Sequence, residues 1–308
     1  MTNSVSGRRP LVGYAMVLVA ATLFGINGTV SKVALSSGLS SLRLTEARSA
    51  GACMGLVLIA LLRKPSSLRA ARREVPRLAI FGCIGVAFVQ LTYFLAIHRL
   101  AIAIALLIQY LGPLLVAIYA RAFGHEHVRR RIWAALGLSL AGLTLMVQLW
   151  NGVALDGLGV LYAFLGALAY AAYLLLAERE VASRDTISLM AWGFGFSTLF
   201  WSIVQPWWSF PGRVVAHTVS LQGSLSGIHV PVWALVLWVV VLGTIAPFSL
   251  VVAALRHVTA TRAGVTAMLE PVVATVVAWA WLRESLSPAQ LVGAAVVLAG
   301  IGLAQTAR

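Results

Sequence analysis

The chain has 308 residues, of which 60% are hydrophobic and only 10% are charged, and its mean hydropathy is +0.93. Soluble domains carry about 25% charged residues, so this composition excludes a water-soluble enzyme. A helix needs about 20 apolar residues to cross a bilayer, and ten such helices would use about 200 residues. The remainder is too short for a catalytic domain outside the membrane.

Ten apolar segments of spanning length follow one another, separated by short polar breaks. Their hydrophobicity is continuous rather than alternating, which favours helices over a membrane β-barrel. We therefore predict an all-α membrane protein. The predicted helices are Leu11–Leu35, Leu42–Leu62, Arg77–Ile97, Ala101–Phe123, Ile132–Leu149, Leu158–Ala177, Ile187–Trp208, Val232–Leu255, Ala260–Leu282 and Pro288–Ala304.

The net charge of +14 is distributed unevenly among the connecting segments. With the N-terminus in the cytoplasm, the cytoplasmic segments hold 17 Lys and Arg and the opposite side holds 5. Lys and Arg concentrate on the cytoplasmic side of membrane proteins. This pattern predicts cytoplasmic N- and C-termini in a bacterial-type inner membrane. It also assigns the basic excess to membrane lipid rather than to nucleic acid.

The second half of the chain repeats the first. Pro113 and Pro271 correspond at an offset of 158 residues, and so do Gly142 and Gly300. The first spans align at an offset of 146, which pairs Gly13 with Gly159. We predict two repeats of five helices, at 1–150 and 151–308. Because five is odd, the second repeat enters the membrane from the opposite side, an inverted arrangement typical of secondary transporters.

Sequence motifs near the C-terminus resemble those of a known family. The segment Trp281-Leu-Arg-Glu-Ser-Leu-Ser-Pro-Ala-Gln-Leu-Val-Gly-Ala and the preceding Leu269-Glu-Pro-Val-Val-Ala are similar to the end of an EamA domain. The first half carries a divergent version at Leu111-Gly-Pro and Gly124-His-Glu-His. The resemblance is to EamA-type carriers of the drug/metabolite transporter superfamily. It implies ten helices around a central cavity, often for exporting amino acids or other metabolites.

Prolines interrupt corresponding spans of the two halves. Pro113 and Pro271 each remove a backbone hydrogen bond in mid-span and should kink their helices. Paired breaks of this kind indicate the binding site of a transporter, with a purely structural bend as the alternative. Gly51 and Gly55 predict a close helix contact.

Glu270 is the most informative polar residue. It lies about ten residues into its span, where a charge costs roughly 2.5–3.5 kcal/mol. Its counterpart in the first repeat is Gly112, so a carboxylate is present on one side only. This asymmetry favours a contact to a substrate amine or a proton site. The alternative is a buried structural pair, either with Arg48 as counter-charge or with a hydroxyl group.

Other polar side chains lie within the apolar spans near the proline pair. Mid-span tyrosines either line a cavity or pack with the hydroxyl on a neighbouring carbonyl. The predicted substrate-binding set is Asn27, Tyr93, Gln109, Tyr110, Tyr170, Tyr173, Thr266 and Glu270.

Motifs for catalysis and cofactor binding are absent. The sequence His125-Glu126-His127 lacks the spacing of a zinc protease, and no phosphate-binding loop is present. Cys53 and Cys83 lie in apolar segments and are predicted to be small core residues. We therefore expect neither an enzyme nor a cofactor. Ser287 and Gln290 predict a capping box at the start of the last helix.

Together these features predict a secondary-active transporter that exports amino acids or related small metabolites by alternating access. Its partners would be a small-molecule substrate, protons and membrane lipid. The alternatives are an uptake carrier, a carrier of drugs, nucleosides or nucleotide sugars, and a non-transporting membrane subunit. The segment Ser209–Pro231 is the longest external loop and is either a lid or a connector. Substrate identity and oligomeric state stay open.

Overall fold

The computed structural model describes residues 9–124, 128–150 and 156–306. Ten helices within these ranges are long and apolar enough to cross a membrane. The largest buried core joins helices of both halves of the chain. In chain order the helices are α1 (Pro10–Leu35), α2 (Ser41–Arg63), α3 (Val75–Ile97), α4 (Ile102–Ala122), α5 (Arg130–Val147), α6 (Gly157–Val181), α7 (Thr186–Val204), α8 (Val232–Ala254), α9 (Ala260–Leu282) and α10 (Pro288–Thr306).

The predicted helices match these ten, with differences at their ends. The largest differences are at the end of α6, which continues to Val181 beyond the predicted Ala177, and at the end of α7, which ends at Val204 and not at Trp208. Pro206 disfavours helical geometry at the residue before it, which explains the early end. The predicted capping box is confirmed, since Ser287 Oγ accepts from the Gln290 amide at 3.2 Å and the Gln290 side chain accepts from the Ser287 amide at 2.9 Å.

Helices α4 and α9 are both broken near their middle, as the two prolines predict. Pro113 and Pro271 each occupy the second position of the segment that follows a break, where a missing amide hydrogen leaves no hydrogen bond unmade. The four segments are Ile102–Gln109 and Gly112–Ala122 in α4, and Ala260–Ala267 and Glu270–Leu282 in α9.

Helices α3 and α8 each contain a π-helical segment, and these two segments also correspond in the repeat. They contain Gly85 and Gly243, which are 158 residues apart. In α8 the Thr244 hydroxyl donates to the Val239 carbonyl at 2.8 Å, and Pro247 follows one turn later. The segments are Phe81–Phe88, between Val75–Ile80 and Val89–Ile97, and Val241–Ile245, between Val232–Val240 and Ala246–Ala254.

Helices α5 and α10 pack through glycines in a reciprocal pattern. A Cβ atom on Gly142 would meet the Gly293 carbonyl and Val297, and one on Gly300 would meet Ser139. Gly142 corresponds to Gly300 and Ser139 to Val297 at the offset of 158 residues. A contact that repeats with the partners exchanged is the pattern that a two-fold axis produces.

The same exchange of partners relates two further contacts. The start of α1 contacts the turn before α9, and the start of α6 contacts the turn before α4. Gly13 packs against Val258, and Gly159 packs against Leu100. Gly13 corresponds to Gly159 at the offset of 146, and Leu100 to Val258 at the offset of 158. Small residues thus allow close backbone approach at equivalent places in both halves. Gly51 and Gly55 of α2 contact α8, which confirms their predicted role as a helix contact.

The long loop between α7 and α8 contains β-strands. The expectation of an all-α chain is therefore wrong for this loop. It contains a two-stranded antiparallel hairpin, β1 (Thr218–Ser220) and β2 (His229–Pro231). Pairing of the two strands satisfies backbone N–H and C=O groups that lie outside the helices and have no helical hydrogen bonds. Its tip docks on α9, where Trp281 Nε1 donates to the Leu221 carbonyl at 2.8 Å. The loop also contains short helical turns at Trp207–Ser209, Gly212–Ala216 and Gly223–Leu225.

One arginine attaches this loop to α2. Arg43 donates to the Pro206 carbonyl at 3.2 Å and to Ser209 Oγ at 2.5 Å, and it forms a 2.7 Å ion pair with the fully buried Glu46. The carboxylate of Glu46 therefore orients the guanidinium toward the loop.

A second arginine attaches the loop between α2 and α3, which contains the turn Pro65–Leu68, to the start of α7. Arg184 donates to the carbonyls of Ser67 and Arg69 and forms a 2.7 Å ion pair with Glu74. A backbone hydrogen bond from Ala71, together with Arg184, lowers the pKa of the Glu74 carboxyl. Each half thus holds a loop of the other half by an arginine.

The α5–α10 contact predicts a difference between two glycines of α5. Gly142→Ala should destabilise the protein by about 1–3 kcal/mol, since the added methyl group meets the α10 backbone. Gly137→Ala adds the same methyl group in open space, where alanine should favour the helix by roughly 0.5–1 kcal/mol. Thermal unfolding of the two purified variants in detergent tests this. Equal losses would contradict the proposed packing role of Gly142.

Candidate functional site

A cavity of about 280 Å³ lies among helices of both halves of the chain. Its walls are mainly apolar, with a few polar groups, as is usual for sites that bind small molecules. Residues from α1, α2, α3, α4, α6, α8 and α9 line it: Ala21, Phe24, Asn27, Gly28, Arg48, Gly85, Val86, Val89, Gln90, Tyr93, Leu106, Gln109, Tyr110, Tyr170, Tyr173, Phe248, Val251, Ala267, Glu270 and Ala274.

The breaks in α4 and α9 place polar residues at the cavity. Glu270 is the first residue of the second segment of α9, so its carboxylate lies at a helix N-terminus within the membrane-spanning region. The amide groups there carry a partial positive charge that stabilises an anion. Gln109 ends the first segment of α4 and Tyr110 follows it at the break. The breaks therefore supply both the space and the polar ends of the site.

Glu270 has two polar neighbours in the cavity. Tyr110 and Arg48 of α2 both line it, and both interact with Glu270 electrostatically. Arg48 is absent from the ion pairs found among the described residues, so the two charges do not meet directly. Arg48 Nε is also buried without a hydrogen-bond partner. The site therefore holds an acidic and a basic side chain from different helices that form no direct ion pair.

Further residues that line the cavity carry unpaired polar atoms. Asn27 Oδ1, Gln90 Oε1 and the Tyr173 hydroxyl are buried and have no hydrogen-bond partner among the described residues. Buried polar atoms are normally satisfied, so unpaired ones around a cavity indicate a polar ligand or water.

Two of these groups are held by glycines of the π-helical segments. Gly243 of α8 lies against Asn27 of α1, and Gly85 of α3 lies against Tyr173 of α6. These contacts correspond in the two halves, since Asn27 and Tyr173 are 146 residues apart. A side chain at either glycine would displace a cavity-lining helix or residue. The π-helical segments therefore help to position residues of the site, as the helix breaks do.

Aromatic rings form much of the remaining wall. Phe24 and Phe248 are in edge contact at 5.1 Å between ring centroids, and Tyr173 contacts Phe248 at 5.8 Å. Tyr170 stacks on Tyr173 at 6.3 Å. These rings form an apolar surface beside the charged groups, which suits a ligand with both polar and apolar parts.

The structure brings together most of the residues singled out from the sequence. Asn27, Arg48 and Glu270 line the cavity, as do Gln109 and all four tyrosines, at positions 93, 110, 170 and 173.

Three predicted residues do not line the cavity. Thr266 is buried, and its hydroxyl donates to the Arg262 carbonyl at 2.8 Å within α9. Pro113 packs against Gly264, so Pro113 joins α4 to α9 outside the cavity. Pro271 follows Glu270 and acts through the helix break.

The predicted substrate-binding set left out four notable lining residues, Phe24, Gly28, Gln90 and Phe248. Gln90 can be recognised from the sequence as a polar residue within an apolar span, whereas the other three match their apolar surroundings. The segment His125-Glu126-His127 lies outside the described residues. Within the described ranges no cluster of three or more His, Cys, Asp or Glu residues is arranged for a metal ion.

Known proteins share this chain's organisation along most of its length. The uncharacterised inner membrane transporter YicL of Salmonella typhimurium is 25% identical over 294 residues, covering 94% of this chain and 93% of YicL. The threonine/homoserine exporter RhtA of Escherichia coli K12 is 25% identical, covering 88% and 82% of the two chains. The pseudopaline exporter CntI of Pseudomonas aeruginosa UCBPP-PA14 is 26% identical, covering 96% of each.

A solved crystal structure of a protein shares the fold, with a TM-score of 0.72 at 19% identity over 96% of this chain and 95% of the other. The model of the EamA-like transporter family matches residues 11–148 and 157–306, which include all ten helices except for Pro10. The chain is therefore a multi-pass membrane protein that belongs to the EamA-like transporter family, of the drug/metabolite transporter type.

Proposed function

We propose that the protein is a secondary-active exporter of amino acids or related small metabolites. The observation that carries the proposal is the cavity between the two halves, with Glu270 at the N-terminus of a half-helix. Broken helices that aim their ends at a cavity are typical of transporter binding sites. The names of two relatives, a threonine/homoserine exporter and a pseudopaline exporter, support export of small metabolites.

The mechanism we propose is alternating access between inverted repeats at 1–150 and 151–308. The exchanged glycine contacts of Gly142 with Val297 and of Gly300 with Ser139 support this symmetry. Symmetry of this kind allows two halves to exchange conformations, so that inward- and outward-open states have similar energies. The uneven distribution of Lys and Arg supports cytoplasmic termini in the inner membrane.

In this mechanism Glu270 contacts the substrate or carries a proton. A carboxylate in the membrane interior requires a compensating partner, which a bound cation or a proton supplies. The amide and hydroxyl groups of Asn27, Gln109 and the tyrosines would supply hydrogen bonds, and the half-helices of α4 and α9 would change their angle at Pro113 and Pro271.

Replacing the carboxylate by its neutral isostere tests the role of Glu270. A charge-assisted hydrogen bond contributes about 1.5–3 kcal/mol, so Glu270→Gln should slow export by roughly 10–100-fold. Bacteria that express either protein are challenged with toxic loads of single amino acids and dipeptides, and extracellular metabolites are quantified. Glu284→Gln, at a solvent-exposed ion pair with Lys32, is the control at equal membrane abundance. Equal export by wild type and Glu270→Gln would contradict the assignment.

The prolines are expected to act together as hinges. The double variant Pro113→Ala, Pro271→Ala restores two backbone amides, so both helices should straighten and export should fall by at least tenfold, with the affinity of the cavity changed less. Each single variant should have a smaller effect. Export by the double variant at the wild-type rate, measured in the same assay, would exclude hinge bending at these positions.

Filling the cavity without disturbing the fold provides a separate test. Gly28 lines the cavity, and a Cβ atom there would meet no other atom within 4 Å. Gly28→Leu should therefore preserve the thermal stability while blocking export. Gly302→Leu adds the same group in open space on α10 and should retain export. If both variants export equally, the cavity is not the transport route.

A further inference from the structure

We propose that the cavity selects zwitterionic amino acids by both charges, with Arg48 binding the carboxylate and Glu270 binding the ammonium group. This inference rests on the proposed export function and names its substrate class. The division of roles comes from two oppositely charged side chains that line one cavity from different helices and form no ion pair with each other.

Arg48 has unused capacity for an anion. It is 7 residues into α2, which begins at Ser41, and so lies within the apolar span. Its Nε is buried and has no hydrogen-bond partner among the described residues. Glu270 interacts with Arg48 electrostatically, but the two side chains are too far apart to form an ion pair. A guanidinium has five donors in a planar fork that fits a carboxylate with two parallel hydrogen bonds. A cation at this depth requires such a partner, which a substrate carboxylate provides.

The cavity also holds groups suited to an ammonium group. Glu270 supplies a carboxylate, and the lining residues Asn27 and Gln90 each carry a buried side-chain oxygen that has no partner among the described residues. An ammonium group has three donors and no acceptor, so it pairs with up to three such oxygens. Tyr110, at the break of α4, lines the same cavity.

The charge balance of the cavity distinguishes a zwitterion from singly charged ligands. Arg48 and Glu270 cancel in total charge, and a zwitterion compensates each of them without adding net charge. A free amine or a free acid would compensate one and leave the other buried and unpaired, which is costly. Because Arg48 and Glu270 line the same cavity without forming an ion pair, each can pair with the oppositely charged group of a substrate. The aromatic wall of Phe24, Phe248 and Tyr173 then faces the substrate side chain.

The test measures ligand binding to the purified full chain in lipid nanodiscs, by its shift in unfolding temperature. The probes are the twenty free L-amino acids, each with its methyl ester and its N-acetyl derivative. At least one free amino acid should stabilise the protein at a concentration where its ester and its N-acetyl form do not. Equal stabilisation by a free amino acid and either derivative would overturn the proposal.

Substitutions of Arg48 and Glu270 test which charged group of the amino acid each side chain binds. Arg48→Gln should weaken binding of the free amino acid by at least tenfold and leave the weak binding of its ester unchanged. Glu270→Gln should weaken the free amino acid similarly and leave the N-acetyl form unchanged. Arg48→Lys retains a cation and should restore preference for the free acid over the ester, even if affinity falls. Arg99→Gln, at a partly exposed pair with Asp156, is the matched control.

The outcomes separate this proposal from the export function on which it rests. If both Arg48 and Glu270 variants lose stability and the residual binding shows no selective loss, the charges form a structural pair and the proposal is overturned. If no free amino acid binds while another metabolite is exported in a manner that depends on Glu270, zwitterion selection fails and export stands. If amino acids bind with the expected selectivity but are never exported, the binding site stands and the export function fails.

Discussion

The structure depends on how two opposite charges are accommodated inside an apolar helical bundle. Each lone charge at the centre of a spanning helix costs roughly 2.5–3.5 kcal/mol, and a direct ion pair would remove the cost but close the space between them. Here Glu270 begins a half-helix whose amides favour an anion, and Arg48 faces the same cavity from α2. The break in α9, the cavity and the unpaired polar atoms are therefore parts of one arrangement, which a purely structural pair would not need.

Glycines organise the frame that holds this arrangement. Gly142 and Gly300 bring α5 and α10 together, while Gly85 and Gly243 bring the π segments of α3 and α8 against Tyr173 and Asn27. In a membrane, close packing replaces the hydrophobic effect as the force between helices, so small residues decide which helices touch. The contact of α5 with α10 involves no residue that lines the cavity, whereas the breaks in α4 and α9 place Tyr110 and Glu270 in its lining.

Sequence patterns predicted the ten spans and the breaks in α4 and α9, because spanning length and proline chemistry are local properties. They also identified Glu270 and Arg48, because a charge in an apolar run is conspicuous. They were less informative about which side of a helix faces the cavity. Thr266 resembles a lining residue but donates to a carbonyl of its own helix, and Phe24 and Phe248 do not stand out from their apolar neighbours. The hairpin at Thr218–Ser220 depends on contacts with distant Trp281, which no local pattern contains.

Alternating access requires that one cavity is reached from both sides of the membrane. The most direct test is labelling of a Gly28→Cys variant by a membrane-impermeant thiol reagent, after Cys53→Ala and Cys83→Ala have removed the two free cysteines. Right-side-out and inverted vesicles expose opposite faces. The account predicts labelling in both preparations, with protection by the transported substrate in each. Labelling from one face alone, whatever gradient is imposed, would contradict alternating access.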